Sequence, residues 1–475
     1  MDNEDKEVVR VKDRRERVDI TKVDDELTRR DLLRRAALGG IVLVYGGTGA
    51  KTAVAGVPKY RHKELAGTLR IIQWSHFVPA YDRWFDNVYV KRWGQANDTE
   101  VRVDHVNLAE LPSRAAAEVA AQSGHDLFQF LSPPAAYEDR VIPLNDVVRQ
   151  VERKVGKMSR VGHRSTYNPR TKRYFGFADN YVPDPVHYRA DLWGEVGVRP
   201  TTWENVRRAA PRLKAMGNPV GIGMSNELDS NMALIALLQC FGAYIQNQDA
   251  RITIRSKGTR DALNFMRDLY RRGMTSEVFA WTAASNNDAF LAGRLSLALN
   301  AISIARSAEQ RNLRFNRDIR ILPIPDGPGP RMGLEHVMGV YVIWKFAQNK
   351  AAAKKFLVDI GTQYTGHFLN SYFYNFPAFP GSVKNIPARL RKNTSYPNEI
   401  PGRYPILDQI SKRWTTNVGY PGYSNAAIDE VFNKFIIPQM FARVARGDMT
   451  ADEAMRAAHR EMTPIFRKWR ARRKI

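Results

Sequence analysis

VHYRADLWGEVGVRPTTWENVRRAAPRLKAMG, residues 186–217, carries the plainest local signals in the chain. Asp191 and Leu192 open a helical turn, and Pro200 ends the loop that follows. Thr201 or Thr202 then stands where a side-chain oxygen can cap the free backbone N–H groups of the next helix. Over 203–216 the apolar residues fall at helical spacing, with Trp203, Val206 and Leu213 on one stripe, and Gly217 supplies the stop. These residues are expected to pack and to cap, with Trp203 in the core.

On either side, short apolar strands alternate with amphipathic helices, which predicts an α/β fold. Strands are expected at 69–74, 101–106 and 126–131, the last running into Ser132-Pro133-Pro134, with helices at 80–96 and 111–123 between them. Further helices are expected at 232–241, 257–272, 284–292, 350–360, 426–445 and 451–470. There is no internal repeat and no long low-complexity linker. At 475 residues the chain exceeds the size at which one core keeps growing, so two packed units are expected.

Hydrophobic residues make up 44% of the chain and aromatic ones 10%, which are globular values, and no apolar run is long enough for a membrane span in the mature protein. The one cysteine, Cys240, sits in an apolar run, which excludes an intramolecular disulfide and a Cys-rich zinc site. Residues 1–55 hold 12 Lys plus Arg against 11 Asp plus Glu, so +23 of the net +24 belongs to the rest of the chain. That field attracts anions, but the basic residues are scattered and interleave with no aromatic module, so nucleic acid is not expected as a partner.

The N-terminal part reads as an export address. TRRDLLR, residues 28–34, followed by the weakly apolar 36–44 and the triplet Ala53, Val54, Ala55, resembles a twin-arginine signal peptide, with Arg29 and Arg30 as the pair and cleavage after Ala55. The twin-arginine translocase is therefore an expected partner. GGTGAKT, residues 46–52, imitates a phosphate-binding loop, but Ala50 occupies the place where a glycine must precede the lysine.

Residues 186–217, together with NDAFLAGRLSLALN (287–300), the segment 339–360 with FPAFPGSV (376–383), and VARGDMTADEAMRAA (444–458), resemble in order and spacing the family 1 extracellular solute-binding proteins, the maltose-binding-like group. The resemblance implies a type II periplasmic-binding-protein fold: two discontinuous α/β lobes joined by a hinge of three crossovers, near 182–186, 316–320 and 372–378. The implied lobes are 56–182 with 319–374, and 183–318 with 375–475. It also implies an exported, monomeric substrate-binding protein of an ABC importer that captures a small solute, with carbohydrate expected, and delivers it to the membrane permease. No cofactor or metal is implied. Open alternatives are an anionic solute such as a sugar acid or glycerol phosphate, an exported carbohydrate hydrolase, and a scaffold for acidic polymer. Catalysis has little support: the chain has no H-E-x-x-H, no G-x-S-x-G and no cysteine with a matching histidine.

Sugars expose apolar C–H faces and a rim of hydroxyls, so a binding cleft needs aromatic platforms and polar side chains near strand ends and crossovers. After the first strand these are Trp74, His76 and Phe77; after the third, Phe130 and Ser132; before the first crossover, Asn180 and Tyr181. Asn226 and Glu227 end a predicted strand, Trp281 lies in the loop before the 284–292 helix, and Asn300 ends another strand. Glu335 and His336 precede a strand near Val340, and Tyr374 and Phe376 flank the third crossover.

Overall fold

The structure is a computed structural model that describes residues 67–392 and 398–475. The export address and its Arg29, Arg30 and Ala53–Ala55 lie outside the described residues. The described chain falls in one compact unit, Tyr60–Ile475, built on two large sheets.

The first sheet has seven strands. β1 (Gly67–Trp74) pairs in parallel with β2 (Thr99–Val106) and β3 (Leu127–Phe130). β11 (Gly333–Ile343), buried along its whole length, runs antiparallel between β3 and β6 (Phe177–Pro183). Two short strands complete the sheet: β12 (Phe376–Pro377) on β6 and β13 (Thr415–Thr416) on the start of β11. A separate hairpin joins β4 (Tyr167–Asn168) to β5 (Arg173–Tyr174). The second sheet has the order β10 (Ile319–Leu322), β7 (Val186–Arg189), β9 (Leu297–Leu299), β8 (Val220–Gly221).

The chain first passes between sheets at Asp184 and Pro185, where β6 ends and β7 begins. The second passage differs from the expected 316–320. β10 still pairs with β7, so the return lies between Leu322 and Gly333. The third differs from 372–378 for the same kind of reason: Phe376 and Pro377 pair with Tyr181 and Asn180 in the large sheet, and the chain leaves that sheet only after β13. The lobe boundaries expected at 318/319 and 374/375 move accordingly.

The helix Trp203–Ala215 forms as read. Thr202 accepts the Asn205 N–H at 3.0 Å, and Trp203, Val206, Ala210 and Leu213 are buried. The segment read as one helix over 80–96 is a helix, a π-helical turn at Phe85–Tyr89 and a second helix. The one read over 426–445 is two helices, Ala426–Asn433 and Ile436–Arg446, because Phe435 takes a left-handed conformation, φ 53°, that a helix cannot continue. Thr450 and Glu453 form a capping box that starts the last helix, Ala451–Ala471. These C-terminal helices pack on Leu228–Cys240 and Lys257–Gly273, while Ala426–Asn433 also meets the turn Ala135–Tyr137 of the first half. Among the described residues no helix is long and apolar enough to cross a membrane.

Candidate functional site

A cavity of about 780 Å³ lies between the two halves, within the size range of small-molecule sites. The seven-stranded half contributes Leu108, Leu111 and Pro112, which follow β2, and Phe130, Ser132 and Tyr137, which end and follow β3. The four-stranded half contributes Asn226 and Glu227, which precede the helix Leu228–Cys240, and Trp281 and Thr282. The C-terminal helices add Asp429, Glu430, Phe432, Asn433 and Trp469, with Phe435 between two of them.

Trp281 is 8% exposed. Its indole lies against Gly221, where an added Cβ would stand 2.8 Å from the ring, so the bare backbone makes the room. Ser225 Oγ donates to the Trp281 carbonyl at 2.6 Å and fixes the loop. Across the cleft the Phe130 and Tyr137 rings sit 5.4 Å apart, and Phe130 is backed by Phe128 and Trp344. Aromatic faces are thus offered from both halves.

The carboxylates of the wall are engaged. Glu227 caps its helix, accepting the N–H groups of Asp229 at 2.6 Å and Ser230 at 2.5 Å; burial and the neighbouring Asp229 push its carboxyl up to about 8. Asp429 Oδ2 accepts the Ala136 N–H at 2.7 Å, a bond that ties the C-terminal helices to the seven-stranded half, and burial pushes it up to about 7. Glu430 accepts the Trp469 indole N–H at 2.7 Å and pairs with Lys468. No Lys or Arg lines this cavity among the described residues. An adjoining cavity of about 470 Å³ shares Asn226 and Trp281 and has Arg443 and Arg446 in its wall.

Five of the expected residues, Phe130, Ser132, Asn226, Glu227 and Trp281, therefore line one cavity. The others lie apart from it. Trp74 is buried against His76, Phe77 and Tyr374. His76 accepts the Val78 N–H on Nδ1 and meets Asn375 on Nε2, and burial lowers it to about 4, so it is a neutral turn-former. Asn180 and Tyr181 are interior residues of β6, and Phe376 packs on Phe368 and near Tyr181. Asn300 is buried in an amide cluster with Asn286, Asn287 and Ser303. Glu335 accepts the Val418 N–H at 3.1 Å. His336 lies between Asp184, 3.2 Å away, and Asp229, 3.1 Å away, with Tyr374 buried beside both acids. Among the described residues no cluster of His, Cys, Asp and Glu could hold a metal ion.

Leu108, Leu111, Tyr137, Phe432, Phe435 and Trp469 were not anticipated. The strand-end rule applied to β2 would have found the first two; the last three sit on or between helices whose periodicity reads as packing.

The model of the bacterial extracellular solute-binding protein family matches residues 79–358, more than half of the chain. The chain belongs to this family. No curated protein matches its sequence. Solved structures share the type II periplasmic-binding-protein fold of this solute-binding protein at low identity. MalE3 of T. maritima with bound maltose is 17% identical, TM-score 0.68, over 84% of this chain and 100% of that one. A sugar transporter from Arthrobacter chlorophenolicus A6 with bound laminaribiose is 15% identical, TM-score 0.70, over 84% and 99%. The GacH receptor of Streptomyces glaucescens, solved unliganded and with acarbose, is 14% identical, TM-score 0.68, over 85% and 99%.

Proposed function

We propose that this protein is the exported substrate-binding protein of an ABC importer and that it captures a neutral carbohydrate between its two halves, closing about the three crossovers and delivering the solute to the permease. The observation that carries the reading is a cleft walled from both halves by Phe130, Tyr137, Trp281 and Trp469 and, among the described residues, lined by no Lys or Arg. Aromatic faces suit the C–H faces of sugar rings. Among the described residues a sugar acid or glycerol phosphate would find no cation in this wall, Arg443 and Arg446 standing only in the adjoining cavity, and an unpaired charge is costly in a buried site, so the anionic alternatives are disfavoured despite the protein's charge of +24. The sugars bound by structural relatives point the same way. Export by the twin-arginine route and a monomeric state belong to the same reading.

A thermal-shift screen of neutral sugars, sugar acids and glycerol phosphates tests it. Neutral sugars should raise the melting temperature with concentration as expected for a ligand of the folded state. A shift produced by the acids alone would overturn the assignment.

A further inference from the structure

The cleft has few hydrogen-bonding side chains left to offer. Glu227, Asp429 and Glu430 are engaged as described above. Ser113 Oγ donates to the Glu110 carbonyl, Thr282 Oγ1 meets Ser285 Oγ, and Asn433 Nδ2 donates to Asp429. Among the lining residues, the side chains of Ser132, Asn226 and Tyr137 and the indole N–H of Trp281 make no hydrogen bond to another described residue. Much of the rest of the wall is apolar, with Leu108, Leu111, Pro112, Phe432 and Phe435 contributed by both halves.

A free oligosaccharide carries hydroxyls around every ring, and each one buried without a partner weakens binding by its lost hydration. These four free polar groups match the hydroxyls of about one ring, while a cavity of about 780 Å³ holds considerably more than one. The remaining volume is bounded by side chains that favour an apolar group.

We infer that the solute is a glycoside whose sugar part meets Ser132, Asn226 and Tyr137 and whose aromatic or alkyl aglycone occupies the space between Leu108, Leu111, Phe432 and Phe435. This rests on the carbohydrate reading and narrows it. The engaged carboxylates act on the protein's own backbone and side chains and set the wall, so the selectivity comes from the ratio of apolar surface to free polar groups.

Calorimetric titration of the mature protein with matched pairs tests the inference: laminaribiose against its p-nitrophenyl glycoside, and maltose against p-nitrophenyl maltoside. In at least one pair the aryl glycoside should bind at least tenfold more tightly than the parent sugar. Two single variants test the placement: Phe435→Asn, which puts a residue tolerant of left-handed backbone at φ 53°, and Leu108→Asn, at a half-buried position, should each erase that preference, the aryl glycoside losing at least tenfold more affinity than the parent sugar. Circular dichroism shows that each variant is folded. Parent sugars binding as tightly as their aryl glycosides would overturn the inference and leave the carbohydrate reading standing. A preference that survives in both folded variants would overturn the placement of the aglycone. Binding of neither sugars nor glycosides would overturn both readings.

Discussion

Replacing His336 by leucine tests whether an ion-paired imidazolium holds the crossovers together. His336 lies on β11, the strand entered by the second passage, and its ring nitrogens are 3.2 Å from Asp184 in the first passage and 3.1 Å from Asp229 in the helix Leu228–Cys240. That helix begins next to Glu227, in the cleft wall. His336 is 1% exposed, and the two acids are buried with it. The flanking carboxylates hold the imidazole well above the usual histidine range, against the opposing effect of burial. His336→Leu keeps the volume but leaves two buried carboxylates facing an apolar side chain. Breaking a buried pair by removing one partner costs about 3–5 kcal/mol, and among the described residues the Asp229 carboxylate then keeps a bond from Asn286 at 2.8 Å and a longer one from Asn300. Urea denaturation at neutral pH should show that loss as a lower midpoint at unchanged slope. The pH dependence has a definite sign. A folded-state pKa raised above the unfolded value contributes stability that is complete below about 6.5 and disappears as pH rises through the folded value. The wild type should therefore lose this stabilisation on the alkaline side, and the variant should lack that phase. Asp184, Asp229, Tyr374 and the nearby His187 face the same ring, so Asp184→Asn should lower the midpoint of the alkaline phase. A loss below about 1 kcal/mol, well under the range for breaking a buried pair, or an alkaline phase unchanged in the variant, would refute the reasoning.

Trp281→Ala should weaken solute binding by about 1–3 kcal/mol and also lower stability, since its indole packs on Gly221 and toward Leu295; Trp203→Ala, fully in the core, should cost about 3–5 kcal/mol of stability and leave the affinity of the folded fraction unchanged by titration. Asp429→Asn keeps an acceptor for the Ala136 N–H. Because burial raises the native carboxyl from 3.8 to about 7, the wild type should lose stability as pH rises through that window, and urea titrations of the variant should show a flatter profile there. Arg29→Lys with Arg30→Lys should trap a precursor in the cytoplasm, detected by fractionation, and the wild-type mature protein should begin at or near Gly56 by N-terminal sequencing. Small-angle scattering should give a smaller radius of gyration at saturating solute; an unchanged radius would count against closure.

The sequence was legible where structure is local. Thr202 and the stripe Trp203, Val206, Leu213 define a helix without reference to the rest of the molecule, and the strand–helix alternation from β1 to β3 reads the same way. Phe435 was illegible because a phenylalanine in the left-handed region carries no turn signal. The second and third passages were displaced because strand membership is a long-range pairing: nothing within 319–322 reveals that it pairs with 186–189. At the candidate site, strand ends led to Phe130 and Ser132, which line the cavity. Nearness to a crossover led to Asn300, Glu335 and His336, which lie apart from that cavity because polar residues at a buried passage bond to one another and to the backbone.

The contrast between surface and cleft gives the charge its meaning. Exposed arginines are spread over the outside of the molecule, from Arg102 on β2 and Arg114 after it to Arg271 and Arg272 on Lys257–Gly273 and Arg456, Arg460, Arg467 and Arg470 on Ala451–Ala471, and their field in physiological salt decays over roughly 8 Å. It raises the concentration of anions near the protein, while among the described residues no Lys or Arg stands in the wall of the main cavity. The cavity wall offers other features: aromatic faces, a few unengaged polar groups, and carboxyl groups held by a helix start, a backbone N–H and an indole. A solute that loses little hydration and covers much apolar surface is the one such a wall retains, so the net charge of the chain is a poor guide to what the cleft binds.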